Sequence, residues 1–266
     1  MDPFNETTTV DRAACYGASV GFQPFGSPSA PFTSPGWKRQ LPKLHGCCFV
    51  LAFFCLLPVA SGFARYFRDC LTSYTPGGLR LWFHVHRALN ILAVVLMVFG
   101  LLGTLISHDF VWTGPKVGAG AANASPTAIH TIFGLFAVIL AWTQPLNVLL
   151  RCGPNHRLRP HFNWSHRSIG VVAWLLAAVS NMIACKCFFW DFIDAPSAVA
   201  TCAFVFGVVG STAVLVELIA YRIRTVDVLP EKTHWKALQV IIFTMASTLL
   251  VVLSTILCVL IVAKPK

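Results

Sequence analysis

The segment Leu81–Ser107 has the sequence LWFHVHRALNILAVVLMVFGLLGTLIS, which is long and apolar enough to cross a membrane as one helix. Its two histidines, His84 and His86, point roughly 200° apart on a helix. The face below His86 is mostly small or polar, with Asn90, Ala93, Met97, Gly100 and Thr104. The face below His84 suits lipid, with Ala88, Leu92, Val95, Phe99 and Leu102. The pattern therefore predicts that His86 faces the protein interior.

The composition of the whole chain indicates a polytopic membrane protein. Of its 266 residues, 56% are hydrophobic and 11% are charged, and the mean hydropathy is +0.69. These values exclude a soluble globular chain. The net charge of +10 comes largely from short loops between apolar runs. Basic residues in such loops report the membrane topology and do not indicate nucleic-acid binding. The cysteines show no paired zinc-type spacing, and we expect most of them to be small core or lipid-facing residues.

Six apolar segments predict an all-α fold with six transmembrane helices in contact with lipid. They are residues 44–64, 81–107, 128–150, 165–187, 198–221 and 237–262. Pro58 and Pro145 are expected to kink two of them near their ends. Residues 1–43 are polar and rich in Pro, Gly, Ser and Thr, which predicts a disordered tail. The chain thus divides into this tail, a four-helix core at 44–187 and two additional helices with a short tail at 188–266.

The distribution of basic residues predicts the orientation of the helices. Twelve arginines and lysines lie in or beside the loops that follow the first, third and fifth segments, against eight on the opposite side. By the positive-inside tendency the first group is cytosolic, and both termini are non-cytosolic. The glycosylation sequons at Asn5 and Asn123 fall on the same outer side.

Each of the first four segments carries a histidine within about one turn of its beginning. These are His45, His86, His130 and His166. Because successive helices alternate in direction, His45 and His130 lie near the outer face, and His86 and His166 near the cytosolic face. Facing imidazoles at two depths suit the axial ligation of b-type haems. A lone intramembrane histidine is more often a hydrogen-bond partner between helices, and a proton relay or a metal transporter uses such residues too. The pattern alone leaves these alternatives open.

Four short runs around these histidines resemble the cytochrome b561 family. They are LHG at 44–46, WFHVHR at 82–87, AIHTIFG at 128–134 and NWSHRSIG at 163–170. The resemblance covers roughly Lys43–Cys187 and is closest to the ferric-chelate-reductase and DOMON-linked branch. A DOMON domain usually precedes the core in this branch, and residues 1–43 are too few to form one.

The resemblance implies a four-helix di-haem core that holds two haems b. His45 and His130 would ligate the outer haem, and His86 and His166 the inner one. Arg87 and Arg167 directly follow the inner ligands. They are expected either to pair with haem propionates or to anchor the helices at the interface.

The resemblance also implies electron transfer from cytosolic ascorbate to an outer acceptor, either a ferric chelate or monodehydroascorbate. Cationic candidates for binding the ascorbate anion are Arg80, Arg151, Arg65 and Arg68, and His108 is the candidate on the acceptor side. The expected membrane is the plasma membrane or that of an endosomal or secretory vesicle. A homodimer is left open. The alternative function is a cofactor-free metal or proton transporter that uses the same histidines.

Overall fold

The computed structural model describes residues 35–69, 72–147, 152–153 and 155–264, and in these ranges it contains helices and no strands. Six helices are long and apolar enough to cross a membrane, as predicted for an integral multi-pass protein. They are α1 (Lys38–Tyr66), α2 (Leu81–Ser107), α3 (Pro126–Leu146), α4 (Arg159–Cys187), α5 (Ala195–Thr225) and α6 (Leu229–Val262).

The observed helices agree with the predicted segments in number and order, and α2 has the predicted bounds. Several others begin earlier than predicted. The first begins at Lys38, so residues 38–43, which were assigned to the disordered tail, are helical. The last begins at Leu229 instead of Ala237. The difference has a simple cause, because a helix of 34 residues is about 50 Å long and exceeds the hydrocarbon thickness of about 30 Å. Its polar first turns then extend beyond the apolar run. Residues 1–34 of the predicted tail lie outside the described residues.

The first helix changes its hydrogen-bonding pattern in the middle of the span. Leu51–Leu56 forms a π-helical segment, after which Leu57 donates its N–H to the carbonyl of Ala52. Pro58 follows at once and has no N–H to donate, which accounts for the wider turn before it. The kink expected at Pro58 thus takes the form of a π-helical segment. Pro145 lies in the last turn of α3, near the end of that helix as predicted.

The chain forms two compact units. The first unit, which we call the hairpin unit, consists of Thr104–Asp191 together with the segment up to Pro42. Its two helices, α3 and α4, pack against each other as an antiparallel pair. Small residues line this contact, since Ala137 and Ala141 of α3 and Ala173 and Ala177 of α4 are buried.

The second unit, which we call the four-helix unit, consists of Lys43–Gly103 and Phe192–Lys266. It contains most of α1 and α2 together with α5 and α6. The last two helices pack on each other, and α6 also packs against the π-helical segment of α1. The ring of Phe243 on α6 lies 5.5 Å from that of Phe63 and 4.8 Å from that of Phe67. The helices predicted to be additional are therefore packed against the helix that carries His45.

Candidate functional site

His86 lies near the start of α2 in the four-helix unit, and its ring is oriented by the backbone of α1. Its Nδ1 atom is 2.9 Å from the carbonyl oxygen of Ala60. The amide of Asn90, one turn further along, donates to the carbonyl of His86 at 2.6 Å and lies 3.3 Å from the same Nδ1. The ring is therefore oriented by the carbonyl of Ala60, and the amide of Asn90 lies beside it.

The faces of α2 agree with the sequence prediction. Ala93, Met97 and Gly100, which follow His86, are buried. The side chains below His84 are exposed, including Leu92 at 47% and Phe99 at 55%. His84 itself lies 2.8 Å, through Nε2, from the carbonyl oxygen of Pro76 in the preceding turn. The prediction that His86 lies on the inward face of α2 is thus confirmed.

His45 makes a similar contact in the same unit. Its Nδ1 atom is 3.0 Å from the carbonyl oxygen of Gly100 on α2, and its ring lies 4.8 Å from that of Phe49. A Cβ at position 100 would approach Phe49 to 2.9 Å and the Cβ of Cys48 to 3.0 Å. The glycine therefore permits the close approach of α1 and α2 that brings the carbonyl to the imidazole.

In the hairpin unit His130 repeats the arrangement. Its Nδ1 atom is 3.0 Å from both the carbonyl oxygen and the hydroxyl of Ser180 on α4. The ring of Phe188 lies 5.2 Å away. His166 lies on the face of α4 that continues to Ser180, and Phe162 stacks on its ring at 6.0 Å with a 10° interplanar angle. Ala137 and Ala141, below His130, and Ala173 and Ala177, below His166, are buried.

Three of the four candidate ligands share one hydrogen-bond geometry. In His45, His86 and His130, Nδ1 lies within 3.0 Å of a backbone carbonyl of a neighbouring helix. A carbonyl only accepts, so Nδ1 carries the proton and the lone pair of the neutral ring is on Nε2. Ligating histidines are commonly oriented in this way, with the second nitrogen donating to an acceptor. The pairing of His45 with His130, and of His86 with His166, stays a prediction, because each pair takes one histidine from each unit.

Several features of the described chain fit a porphyrin. A Cβ added at Gly170, one turn after His166, would meet nothing within 4 Å, and one added at Gly134 would meet only the hydroxyl of Ser180, at 3.3 Å. The buried indole nitrogens of Trp82 and Trp142 have no hydrogen-bond partner in the described part of the chain, and neither has Oε1 of Gln144. Such atoms are rare in folded proteins and call for an external partner.

The donor chemistry of the histidines fits haem. A haem needs only two axial side chains, and neutral imidazoles with Nδ1 protonated are suitable donors. Among the described residues no group of three or more His, Cys, Asp or Glu side chains is arranged to hold a metal ion.

The cationic candidates at the ends of α1 and α2 have different surroundings. Arg65 forms a two-point ion pair with Glu217 of α5, at 2.8 and 3.3 Å, and Tyr66 donates to the same carboxylate at 3.2 Å. Arg224 also reaches Glu217, at 3.5 Å. The guanidinium of Arg65 is thus occupied in the contact between α1 and α5, which favours a structural role over substrate binding.

Arg68 and Arg80 remain near the surface. Arg68 donates to the carbonyl of Ala64 at 2.6 Å and lies 5.0 Å from the ring centroid of Trp82. Arg80 is 3.7 Å from the carboxylate of Asp69, and both side chains are more than half exposed. Arg151 lies outside the described residues.

The remaining predicted residues are near the ends of helices. Arg87 is exposed, and its guanidinium lies 3.4 Å from Nδ1 of His84 and 5.7 Å from the ring of Phe83. Nδ1 of His108 is 3.0 Å from the carbonyl oxygen of Thr104, just after α2. The next residue, Asp109, has a φ of 53° and pairs with Lys38. This backbone conformation is uncommon outside glycine and ends the helix sharply.

Sequence reasoning missed a basic groove at the start of α4. This groove has a volume of about 600 Å³ and is lined by Asn155, His156, Arg157, Arg159, Pro160, Asn163, Trp164 and Arg167. None of its three arginines has a carboxylate within 4.0 Å among the described residues. The signal was present in the sequence, since no acidic residue occurs between Arg151 and Arg167. Its lining residues run from just before α4 to Arg167, the residue that follows His166.

Comparison with known proteins gives matches of modest identity. The chain is 32% identical over 151 residues to a Drosophila melanogaster protein named as a homolog of ferric-chelate reductase 1, covering 57% of this chain and 21% of that protein. It is 27% identical over 192 residues to human ferric-chelate reductase 1, with 72% and 30% covered. It is 25% identical over 135 residues to a cytochrome b561 and DOMON domain-containing protein of Arabidopsis thaliana, with 51% and 26% covered.

No family model and no solved structure matches the chain. The chain spans between about a fifth and a third of the length of these relatives. The matches confirm the resemblance that the four histidine-containing runs predicted.

Proposed function

We propose that this chain, a relative of the ferric-chelate reductases and the cytochrome b561 proteins, carries electrons across a membrane through two b-type haems. The proposal rests above all on the hydrogen bonds from Nδ1 of His45, His86 and His130 to backbone carbonyls. They fix the tautomer and orientation that an axial ligand needs. A histidine that only bridges two helices can make the same hydrogen bond, and the similarity of the chain to the cytochrome b561 and ferric-chelate reductase proteins is what favours the ligand role.

In this proposal His45 and His130 ligate the haem near the outer face, and His86 and His166 the haem near the cytosolic face. Each bound haem would supply a one-electron iron couple. The chain contributes the ligands, a dry environment and open space beside Gly170, where an added Cβ would meet nothing within 4 Å. The indole N–H groups of Trp82 and Trp142 are donors at which anionic propionates would be bound.

The electron donor is proposed to be ascorbate or a similar anionic reductant on the cytosolic side. Two sets of cations qualify as its docking site. One is Arg80 with Arg151, as the family resemblance suggested, and the other is the basic groove with Arg157, Arg159 and Arg167. The second is favoured by its concave form and by the lack of carboxylates beside its arginines, whereas Arg80 lies close to Asp69. We therefore assign the main contribution to the groove.

On the outer side the proposed acceptor is a ferric chelate or monodehydroascorbate. His108 follows α2 at that end, and its ring is held by Thr104 and Ser107. The proposed orientation places both termini outside the cytosol, in the plasma membrane or in an endosomal or secretory vesicle. The positive-inside distribution of arginine and lysine supports that orientation.

The test begins with the purified full chain. We expect a red protein with a dithionite-reducible b-type spectrum, two haems per chain, and partial reduction by ascorbate. A colourless, correctly folded preparation would instead support the cofactor-free transporter that uses the histidines for metal or protons. In proteoliposomes, internal ascorbate should reduce an external ferric chelate only when haem is present.

The docking site is tested by charge-neutral variants. Arg157→Gln should slow haem reduction by ascorbate several-fold and weaken its dependence on ionic strength, while both haems stay bound. Arg80→Gln and Arg151→Gln should have smaller effects. Arg222→Gln, an exposed change on α5, is the matched control. Equal rates in all variants would remove these arginines from the donor site.

A further inference from the structure

Two cysteines on different helices of the four-helix unit face each other at close range. The Sγ atom of Cys47 on α1 lies 3.9 Å from the carbonyl oxygen of Cys258 on α6, and the Sγ atom of Cys258 lies 3.9 Å from the carbonyl oxygen of Cys47. Both residues are half-buried, so part of each side chain lies at the protein surface.

The helices are held together next to this thiol pair, on the side towards the start of α1 and the end of α6. A Cβ at Gly46 would approach the side chain of Ile261 to 3.1 Å, which shows how close the two backbones are. One turn before Cys47, the ammonium group of Lys43 donates to the carbonyls of Val262 and Lys264 at 3.0 and 2.8 Å. The packing of α1 against α6 therefore keeps the two sulfur atoms close together.

The chain already contains an oxidised cysteine. Cys187, at the C-terminal end of α4, is disulfide-bonded, whereas Cys47 and Cys258 are thiols. Disulfides form and persist in oxidising compartments, so we expect this chain to meet small disulfides as oxidants.

We propose that Cys47 and Cys258 are a reversible modification site that closes to an interhelical disulfide on reaction with a small disulfide. The thiolate of one cysteine attacks the small disulfide, forms a mixed disulfide and releases one thiol. The second cysteine then attacks the sulfur of the first, which forms the S–S bond between α1 and α6 and releases the second thiol. The two cysteines lose two electrons and two protons in total, and the small disulfide gains them.

The closed form would tie α1 to α6 two residues after His45. This covalent bond restricts the relative motion of the two helices at that level, because their separation becomes fixed by the disulfide geometry. The contacts between Cys47 and Cys258 lie within the four-helix unit, and the disulfide can form whether or not the proposed electron transfer occurs.

The experiment uses the purified full chain in detergent, treated with oxidised glutathione and then with maleimide to block the remaining thiols. Non-reducing peptide mapping should detect a Cys47–Cys258 linked peptide in most molecules, and dithiothreitol should reverse it. Cys47→Ala and Cys258→Ala should each abolish the linked peptide and accumulate a glutathione adduct on the remaining cysteine. Cys202→Ala, a buried cysteine on α5, is the matched control and should leave the link intact.

Failure of the wild-type chain to form the linked peptide would overturn the proposal. Preferential linkage of Cys258 to the neighbouring Cys48 would overturn it too. A wild-type circular dichroism spectrum in each alanine variant shows that the loss of the link is not caused by misfolding.

Discussion

Nδ1 of His86 lies 2.9 Å from the carbonyl oxygen of Ala60, so a side chain near the start of α2 is oriented by the backbone of α1. Since Ala60 is fully buried, water does not compete for that carbonyl. His45 and Gly100 have the same relationship in the opposite direction, from α1 to α2. The two helices thus each supply a histidine and the carbonyl that orients the other helix's histidine.

The hydroxyl of Ser180 contributes to the orientation of His130, and Ser180→Ala tests how much this contact contributes to haem affinity. We expect haem to remain but to bind about 10-fold more weakly at one site, at the low end of the range for partners of ligating histidines, because the carbonyl of residue 180 is retained. Competitive extraction of haem by an apo-globin measures the change. Ser211→Ala, on the exposed face of α5, is the control, and an equal loss there would contradict the assignment.

For Trp142 we predict that substitution by phenylalanine lowers stability only when haem is bound. Its buried indole N–H has no hydrogen-bond partner in the described part of the chain, so Trp142→Phe should not destabilise the haem-free protein. In the haem-loaded protein the same change should cost about 1 kcal/mol, because a hydrogen bond to the cofactor is lost. Thermal unfolding of both forms in detergent separates these outcomes. A loss of the same size in both forms would assign the tryptophan to packing alone.

The ion pair between Arg65 and Glu217 predicts a small coupling energy between the two residues and no effect on the rate of haem reduction by ascorbate. Both side chains are about two-fifths exposed, so the screened pair should contribute about 0.2–1 kcal/mol in a double-mutant cycle. Arg65→Gln, Glu217→Gln and the double variant should all be reduced by ascorbate at the wild-type rate. Slower haem reduction in Arg65→Gln but not in Glu217→Gln would indicate that Arg65 takes part in substrate binding.

Gly62 is required by the packing of α1 against α6. A Cβ at this position would lie 2.1 Å from a ring carbon of Phe243, so Gly62→Ala should lower the free energy of unfolding by about 1–3 kcal/mol. Gly207→Ala on α5 is the matched control. Its Cβ meets nothing within 4 Å, and alanine should stabilise that helix by up to about 1 kcal/mol. Thermal unfolding in detergent checks both, and an unchanged midpoint for Gly62→Ala would contradict the contact.

The sequence predicted the number, order and type of the helices because each crossing needs a long apolar run, and such runs are visible without a structure. The inward face of α2 was equally visible, since Ala93 and Met97 differ in kind from Leu92 and Phe99. The true start of α6 was not, because polar turns beyond the hydrocarbon core carry no hydropathy signal. The π-helical segment before Pro58 was also missed, since a proline indicates a disturbed helix but not its form.

The sequence predicted which side chains belong to the candidate site, but not the backbone groups that they contact. Four histidines at helix starts were apparent, but the carbonyls of Ala60, Gly100 and Ser180 were not, because a backbone acceptor has no signature in the sequence and depends on how helices pack. The ion pair between Arg65 and Glu217 was missed for a similar reason, because it depends on how α1 and α5 pack. Arg224 lies on the same helix as Glu217, at 3.5 Å, but the nearer partner, Arg65 at 2.8 Å, lies on α1 and far away in the sequence.

The most direct test of the account is the haem content of the wild-type chain and of His86→Ala, measured as the pyridine haemochrome per polypeptide. The account predicts two haems b in the wild type and one in the variant, with a b-type spectrum retained in both. Equal haem content in the two proteins, or none in a correctly folded wild type, would contradict it.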